Sequence, residues 1–226
     1  VRALTALHLL APGTPMLFQG QELGAKTPFF YFADHAPELA DLVRKGRLAF
    51  LSQFASMENS DAVQSVVADP AARASFDASK LDWDAIDAPM MQLHIDLLAL
   101  RRDDPTFSAQ SPRGIDGAIL APECFVLRFF GVEGGVAMPG HADDRLLIIN
   151  LGRDLRLSPS PEPLLGLPRN KAWQSLWSSE DIRYSGQGMR PVDDDARGWM
   201  VTGQSAVVLH AVDRAASLEP RTRSHD

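Results

Sequence analysis

The sequence has little cysteine, no long apolar run and no excess of positive charge. Its 226 residues include one cysteine, Cys124, so no disulfide can form within the chain. Lys and Arg number 22 against 29 Asp and Glu, and the net charge of −7 argues against binding to nucleic-acid phosphates. No apolar run reaches the roughly 18 residues of a membrane span, and no signal peptide is evident. These features predict a cytoplasmic protein without nucleic-acid or membrane partners.

Common catalytic and metal-binding motifs are also missing. The sequence has no phosphate-binding glycine loop, no Gly-x-Ser-x-Gly turn and no Cys-x-x-Cys or His-Glu-x-x-His pattern. The six histidines are scattered along the chain, which is typical of structural residues rather than metal ligands. We therefore predict no metal site.

The length and the start of the chain set the next expectation. A chain of 226 residues forms one large domain or two small ones. Residues 1–10 have helical apolar spacing but no N-cap before them, so we expect the chain to be part of a longer protein.

The part before residue 105 has an α/β pattern. Pro15 to Gln19 is a short apolar run closed by Gly20, which predicts a strand buried on both faces. Helices are predicted from Pro37 and over Ala88 to Arg102. The apolar residues expected on their buried faces are Leu39, Leu42, Val43, Leu48, Leu51 and Phe54 in the first helix, and Met91, Ile95, Leu97 and Leu98 in the second.

After residue 105 the pattern changes to short strands separated by turns, which is typical of a small antiparallel sandwich. The predicted strands are Ala118–Ala121, Phe125–Phe130, Arg145–Asn150, Ala172–Trp177 and Gln204–Val212.

The loop after Gly20 is the best candidate for a binding site. In parallel α/β folds, ligands bind on the loops that follow the strands. Aromatic residues at 29–32 are suited to stack on sugar rings, although they also suit a plug at the mouth of a barrel. Polar side chains suited to bind hydroxyl groups are Glu22, Lys26, Asp34 and His35. Glu22 and Asp34 also fit a glycosidase carboxylate pair, with a purely structural role as the alternative.

Residues 14–24 (TPMLFQGQELG) resemble the eighth barrel strand of the α-amylase superfamily of glycoside hydrolases. The continuation over residues 25–35 (AKTPFFYFADH) resembles the maltooligosyltrehalose trehalohydrolase family. Three later stretches agree with that family: residues 80–83 (KLDW), residues 100–105 (LRRDDP), and residues 161–165 (PEPLL) leading to residues 177–184.

The resemblance implies cleavage of the α-1,4-glucosidic bond next to the terminal trehalose unit of maltooligosyl trehalose or a related α-glucan. The family needs no cofactor. It uses an aspartate nucleophile, a glutamate acid/base and a second aspartate, all of which we expect upstream of Val1. The resemblance therefore leaves no catalytic residue in this chain and makes Glu22 a scaffold residue. The expected substrate-binding residues are Phe29, Phe30, Phe32, Asp34 and His35.

The implied fold is α/β plus all-β: the C-terminal remnant of a (β/α)8 barrel, comprising its last strand and following helices, and then a small antiparallel β-sandwich. We expect the barrel part over residues 1–106, the sandwich over 107–213 and a flexible tail over 214–226. The missing N-terminal part of the same barrel is the expected partner. Without it, residues 1–36 are expected to be poorly anchored and the chain inactive.

Two alternatives remain open at this stage. One is the same portion of a glycogen branching enzyme. The other is a non-catalytic carbohydrate-binding or interaction module, in which Trp173, Trp177 or Trp199 would form an exposed sugar platform. Trp173 and Trp177 are four residues apart, which would put them on one face of a regular strand.

Overall fold

The computed structural model describes residues 1–54, 68–111, 113–133, 136–137, 143–167, 170–194 and 198–213. The chain divides into two compact units, one formed by residues 1–18 with 88 onward, and one by residues 19–87. The chain is divided between residues 18 and 19 and between residues 87 and 88, not between residues 106 and 107 as expected. The expected boundary concerns the domains of the parent protein, so it stays a prediction. The expected tail lies outside the described residues.

Five α-helices, ten strands and two 3₁₀ helices, Pro163–Leu165 and Ile182–Tyr184, are described. The helices are α1 (Arg2–Leu10), α2 (Pro37–Leu51), α3 (Arg73–Ala78), α4 (Ala88–Asp103) and α5 (Pro105–Ser108). The strands are β1 (Ile115–Ala121), β2 (Cys124–Phe129), β3 (Val132–Glu133), β4 (Val136–Ala137), β5 (Arg145–Asn150), β6 (Leu155–Leu157), β7 (Lys171–Ser178), β8 (Asp193–Asp194), β9 (Gly198–Val201) and β10 (Ser205–Asp213).

The larger unit is built on a five-stranded antiparallel sheet in the order β1-β2-β5-β10-β7. A three-stranded antiparallel sheet, β6-β9-β8, accompanies it, and β3 pairs with β4. The five strands predicted from the sequence after residue 105 are confirmed as β1, β2, β5, β7 and β10.

The central strands β5 and β10 are buried on both faces, because the large sheet has a core on each side. Leu147 and Ile149 point into a first core that α1 and α4 complete. Leu146 and Ile148 point into a second core that contains Trp199 and Val201 of the small sheet. Alternate residues of a strand face opposite sides, so one continuous apolar run supplies both cores.

Helix α1 is firmly anchored, and the expectation that residues 1–36 are poorly held is wrong for this part of the chain. Ala3, Ala6, Leu9 and Leu10 are buried in the first core. Small residues at Ala3 and Ala6 fit close packing of the helix against its neighbours. The helix thus belongs to the same compact unit as the large sheet.

Strand β7 contains an irregularity that the sequence pattern did not predict. Val208 of β10 is paired with Trp177, but the next residue, Leu209, is paired with Ser175. Leu176 is therefore an extra residue, and a β-bulge of this kind reverses the facing of the residues beyond it. Trp173 lies in the second core and Trp177 in the first, so the prediction that they share a face is wrong.

Three further predictions about elements are corrected. The predicted strand from Pro15 to Gln19 does not form, and none of the described sheets includes these residues. Helix α2 forms as predicted but has no buried residue, and Leu39 and Leu42 are exposed. Helix α4 also forms, but it buries Leu93, His94 and Leu97, whereas the other residues of the predicted stripe, Met91, Ile95 and Leu98, are exposed.

Among the helices of the described residues, none combines the length and the apolar character needed to cross a bilayer.

Candidate functional site

The aromatic loop, residues 25–35 of the smaller unit, is held by hydrogen bonds from its backbone N–H groups. The Phe30 N–H donates to the Ser79 hydroxyl at 2.9 Å, and that hydroxyl donates to the Ser75 carbonyl at 2.7 Å. The Ala33 N–H donates to the Pro70 carbonyl at 3.0 Å. Ser79 and Pro70 are both buried. The loop therefore has a fixed course, although it contains no regular secondary structure.

A tight turn before the loop requires glycine. Gly20 has a φ of +81°, and its carbonyl accepts hydrogen bonds from the N–H groups of Leu23 and Ala25. A Cβ atom at this position would lie 2.6 Å from a Leu81 methyl carbon. The position combines a left-handed backbone with a close approach, both of which favour glycine. The turn brings the chain against the segment near residue 81.

The aromatic side chains of the loop have different neighbours. Phe29 and Phe32 have ring centroids 5.8 Å apart, and Phe32 packs edge-on against Phe76 of α3 at 5.1 Å. The Tyr31 ring instead lies under the Arg47 guanidinium of α2, 4.5 Å from its centroid. Tyr31 therefore ties the loop to α2, while Phe29 and Phe32 form an aromatic surface with α3.

An open groove of about 420 Å³ lies beside this aromatic surface. Its volume is within the range of small-molecule sites. The residues that line it are Gln19, Phe32, Phe76, Ser79, Lys80, Leu81 and Trp83. All of them belong to the smaller unit.

The charges beside the groove form a local network. Asp77 accepts hydrogen bonds from Lys80 at 2.7 Å and from Arg73 at 3.1 Å. These bonds, that of Lys80 above all, lower the pKa of the Asp77 carboxyl, so it is ionised at neutral pH. Lys80 and Arg73 also lie over the Phe76 ring, 4.7 Å and 5.2 Å from its centroid. Lys80 and Arg73 therefore hold Phe76 in place, and the Asp77 carboxylate neutralises part of their positive charge.

The groove contains one of the five predicted binding residues. Phe32 lines it, and Phe29 contacts Phe32. Phe30 is half-buried, and Asp34 and His35 are outside the lining. Among the described residues, neither Asp34 nor His35 has a hydrogen-bond or ion-pair partner, so both polar groups are available to a ligand. Their role in binding stays a proposal.

Six lining residues were not among the predicted ones: Gln19, Phe76, Ser79, Lys80, Leu81 and Trp83. All but Gln19 lie more than 40 residues after the loop, so no local pattern connects them to it. Lys80 and Trp83 belong to the KLDW stretch that supports the family resemblance, but the resemblance gives neither residue a binding role. The structure leaves 66% of Trp83 exposed.

The other three tryptophans offer no exposed platform. Trp173, Trp177 and Trp199 are buried in the two cores of the larger unit. The Trp173 indole N–H donates to the Leu165 carbonyl at 2.9 Å, and that of Trp177 to the Tyr184 hydroxyl at 3.0 Å. Within the described β part of the chain, no exposed tryptophan therefore supports a carbohydrate-binding module.

The groove is equipped for binding rather than for proton transfer. Of its lining residues, only Lys80 carries a charge near neutral pH, and it is already paired with Asp77. Within the described part of the chain, no group of three or more His, Cys, Asp or Glu residues is arranged to hold a metal ion.

Sequence comparison identifies relatives of one kind. The chain is 38% identical over 159 residues to malto-oligosyltrehalose trehalohydrolase from Deinococcus radiodurans, and 44% identical over 108 residues to that from Arthrobacter ramosus. The matches cover 67% and 46% of this chain but only 23% and 18% of the two relatives. No family model matches the chain. The predicted resemblance to trehalohydrolases is confirmed, and the matched stretches span about a fifth of each relative.

Structure comparison agrees in fold. A Salmonella typhimurium protein assigned as an alpha amylase superposes with a TM-score of 0.60 at 25% identity, over 92% of this chain and 30% of that protein. A pullulanase from Anoxybacillus, solved with maltotetraose, superposes with a TM-score of 0.51 at 15% identity, over 92% of this chain and 22% of that protein. The chain therefore has the fold of part of an α-amylase-type enzyme.

Proposed function

We propose that this chain, which resembles the malto-oligosyltrehalose trehalohydrolases in sequence and α-amylase-type enzymes in fold, forms the C-terminal portion of such a glycoside hydrolase. The whole enzyme would cleave the α-1,4-glucosidic bond next to the terminal trehalose unit of maltooligosyl trehalose and release trehalose. The sequence match to the Deinococcus relative is the observation that carries this proposal. A parent glycoside hydrolase needs no cofactor for this reaction, because two carboxyl groups and water suffice.

The exposed segment before Gly20 supports a barrel origin for residues 1–106. No described strand is paired with residues 14–18, and Met16 and Phe18 are 85% and 57% exposed. Such side chains are normally covered where a strand lies inside a parallel barrel. We therefore infer that this segment is the last barrel strand, with its neighbouring strands in the N-terminal part of the parent protein.

Exposed apolar faces on the helices support the same inference. Met91, Ile95 and Leu98 form one such face on α4 of the larger unit. Leu39 and Leu42 are exposed on α2 of the smaller unit. Contiguous apolar surfaces of this kind mark contacts with another part of a protein or with a partner. The N-terminal part of the barrel is the partner that we propose for both faces.

The aromatic loop is proposed to line the substrate cleft of the parent enzyme. Phe29 and Phe32 are 47% and 36% exposed, and their rings contact each other. Asp34 and His35 would bind substrate hydroxyl groups, and Phe30 would position the loop. We further propose a cytoplasmic location, which the single, unpaired and buried Cys124 supports.

The isolated chain tests one part of this proposal. Because the three catalytic carboxylates are expected in the N-terminal part of the parent protein, the 226-residue chain should release no trehalose from maltooligosyl trehalose. The assay is trehalose detection by chromatography after long incubation at high protein concentration. Release above the level of a heat-denatured sample would show that the chain carries its own catalytic groups, and would contradict the proposal.

A further inference from the structure

Trp83 is the tryptophan whose indole is exposed to solvent. It is 66% exposed on the wall of the groove, whereas the other three tryptophans are buried in cores. Among the described residues, the structure gives the Trp83 side chain no hydrogen bond and no ring contact. A large flat ring therefore faces an open groove with at least one side uncovered.

The surroundings of Trp83 are fixed. Phe76 is held between two cations and the edge of Phe32, so it forms a wall rather than a free stacking surface. The Ser79 hydroxyl anchors Phe30, and with it the loop that carries Phe32. A preformed wall loses little conformational entropy when a ligand binds. The groove can thus present Trp83 as a stacking platform without rearrangement of the loop.

The charges near Trp83 select against anions. Asp82 and Asp84 flank it in sequence and are exposed, and the Asp82 carboxylate accepts the Asp84 N–H at 3.0 Å. Lys80, the cation in the lining, shares the counter-charge of Asp77 with Arg73. With Asp82 and Asp84 added, the three carboxylates outnumber the two cations, so a phosphate or a nucleic-acid strand would meet net negative charge here. A neutral ligand avoids this repulsion.

Polar groups around the groove are suited to hydroxyl groups. The amide of Gln19 makes one long hydrogen bond, 3.5 Å from Nε2 to the Ser79 carbonyl, and so retains hydrogen-bonding capacity. The Lys80 ammonium has three donor hydrogens, more than its bond to Asp77 uses. A pyranose ring combines an apolar face of C–H groups with a rim of hydroxyls, and the negative face of an indole attracts those C–H groups.

We propose that this groove is a binding site for a glucosyl unit of an α-1,4-linked glucan, with Trp83 as the stacking platform and Gln19 and Lys80 as hydroxyl contacts. The choice of an α-glucan rests on the proposed function, while the neutral, ring-shaped ligand class follows from the groove itself. The lining of the groove includes no carboxylate, so its role is to hold the glucan chain.

The test is a titration of the 226-residue chain with maltotetraose, in which binding is measured by calorimetry and by tryptophan fluorescence. We expect saturable binding in the millimolar range or tighter, with a change in fluorescence because Trp83 is the exposed indole. Trp83→Ala should weaken binding by about tenfold or more, while Trp83→Phe, which keeps a flat ring, should retain most of the affinity. Cellotetraose is the control ligand with β-linkages.

Phe50→Ala is the matched control variant, because Phe50 is an exposed aromatic residue of α2 that does not line the groove. Its affinity should equal that of the unmodified chain, and circular dichroism melts establish that each variant is folded. Absence of maltotetraose binding by the unmodified chain would overturn the proposal, as would unchanged binding by folded Trp83→Ala. Because this readout needs no hydrolysis, it can fail or succeed independently of the trehalose-release assay.

Discussion

Arg128 and Asp144 form an ion pair inside the larger unit, with both side chains almost completely buried. Their Nη2 and Oδ2 atoms are 2.7 Å apart. Arg128 Nη1 also donates to the carbonyls of Leu164 and Gly166, and the second carboxylate oxygen of Asp144 accepts the Gly131 N–H at 2.8 Å. The pair is tolerated in the interior because these additional hydrogen bonds compensate for lost hydration.

We expect Asp144→Asn to lower the free energy of unfolding by about 3–5 kcal/mol, because it leaves the Arg128 charge buried without a counter-ion. Urea unfolding followed by circular dichroism measures the change. Asp41→Asn is the control: Asp41 pairs with Arg44 and Lys45 on the exposed surface of α2, and its loss should leave the midpoint unchanged. Equal shifts in both variants would contradict the account of the buried pair.

Cys124 gives a prediction about alkaline pH. Burial raises the pKa of this thiol from 9.0 to about 11. Between these two values the unfolded chain has lost the thiol proton and the folded chain retains it, so stability falls as pH rises from 9 to 11. The slope of unfolding free energy against pH in this window should be less negative in Cys124→Ala. Identical slopes in the two proteins would show that the thiol titrates alike in both states.

At the scale of elements, Arg101 of α4 closes the C-terminal end of α1. Its guanidinium donates to the carbonyls of Leu9 at 2.6 Å, of Ala11 at 2.9 Å and of Gly13, and to the Gln110 side chain. The last carbonyls of a helix lack partners within the helix, and a cation at that end is favourable. This contact helps to explain why α1 is well anchored.

Arg101→Lys should destabilise the chain by about 1.5–3 kcal/mol, because an ammonium group cannot reproduce the planar fork of donors. The measurement is the shift of the urea unfolding midpoint. The neighbouring Arg102→Lys is a matched control, since Arg102 is exposed and pairs with the exposed Asp103. A destabilisation by Arg102→Lys as large as that by Arg101→Lys would rule out the proposed closure of α1.

Elements with strong local patterns were predictable from the sequence. The apolar run of β5 and the long α4 have the spacing of a strand and a helix, and both form close to the expected residues. The extra residue at Leu176 was not predictable, because an alternating pattern assumes a regular strand. The burial of Leu93 in place of Met91 depends on where α1 packs, which is a tertiary contact.

The candidate site was predictable only in part, for a related reason. The loop over residues 29–35 is rich in aromatic residues, and one of them, Phe32, does line the groove. The opposite wall comes from Phe76 to Trp83, and hydrogen bonds such as that between Phe30 and Ser79 connect the two segments. Contacts between segments almost fifty residues apart leave no periodic pattern in a single sequence.

At the scale of the whole molecule, the chain has well-packed cores but leaves several apolar side chains exposed on its surface. The large sheet is covered on both faces, yet Met16, Phe18 and the outer face of α4 are exposed. A stable unit with bare apolar faces is the expected form of a part that docks onto a larger structure. The central claim is that this larger structure is the N-terminal part of a trehalohydrolase barrel.

A chimera tests this claim most directly. The segment of the Deinococcus radiodurans trehalohydrolase that matches this chain is replaced by the corresponding residues of this chain, and trehalose release from maltooligosyl trehalose is measured. We predict a folded chimera that releases trehalose, while the same protein truncated before the replaced segment does not. A chimera that folds, as judged by a cooperative thermal transition, but releases no trehalose would contradict the claim.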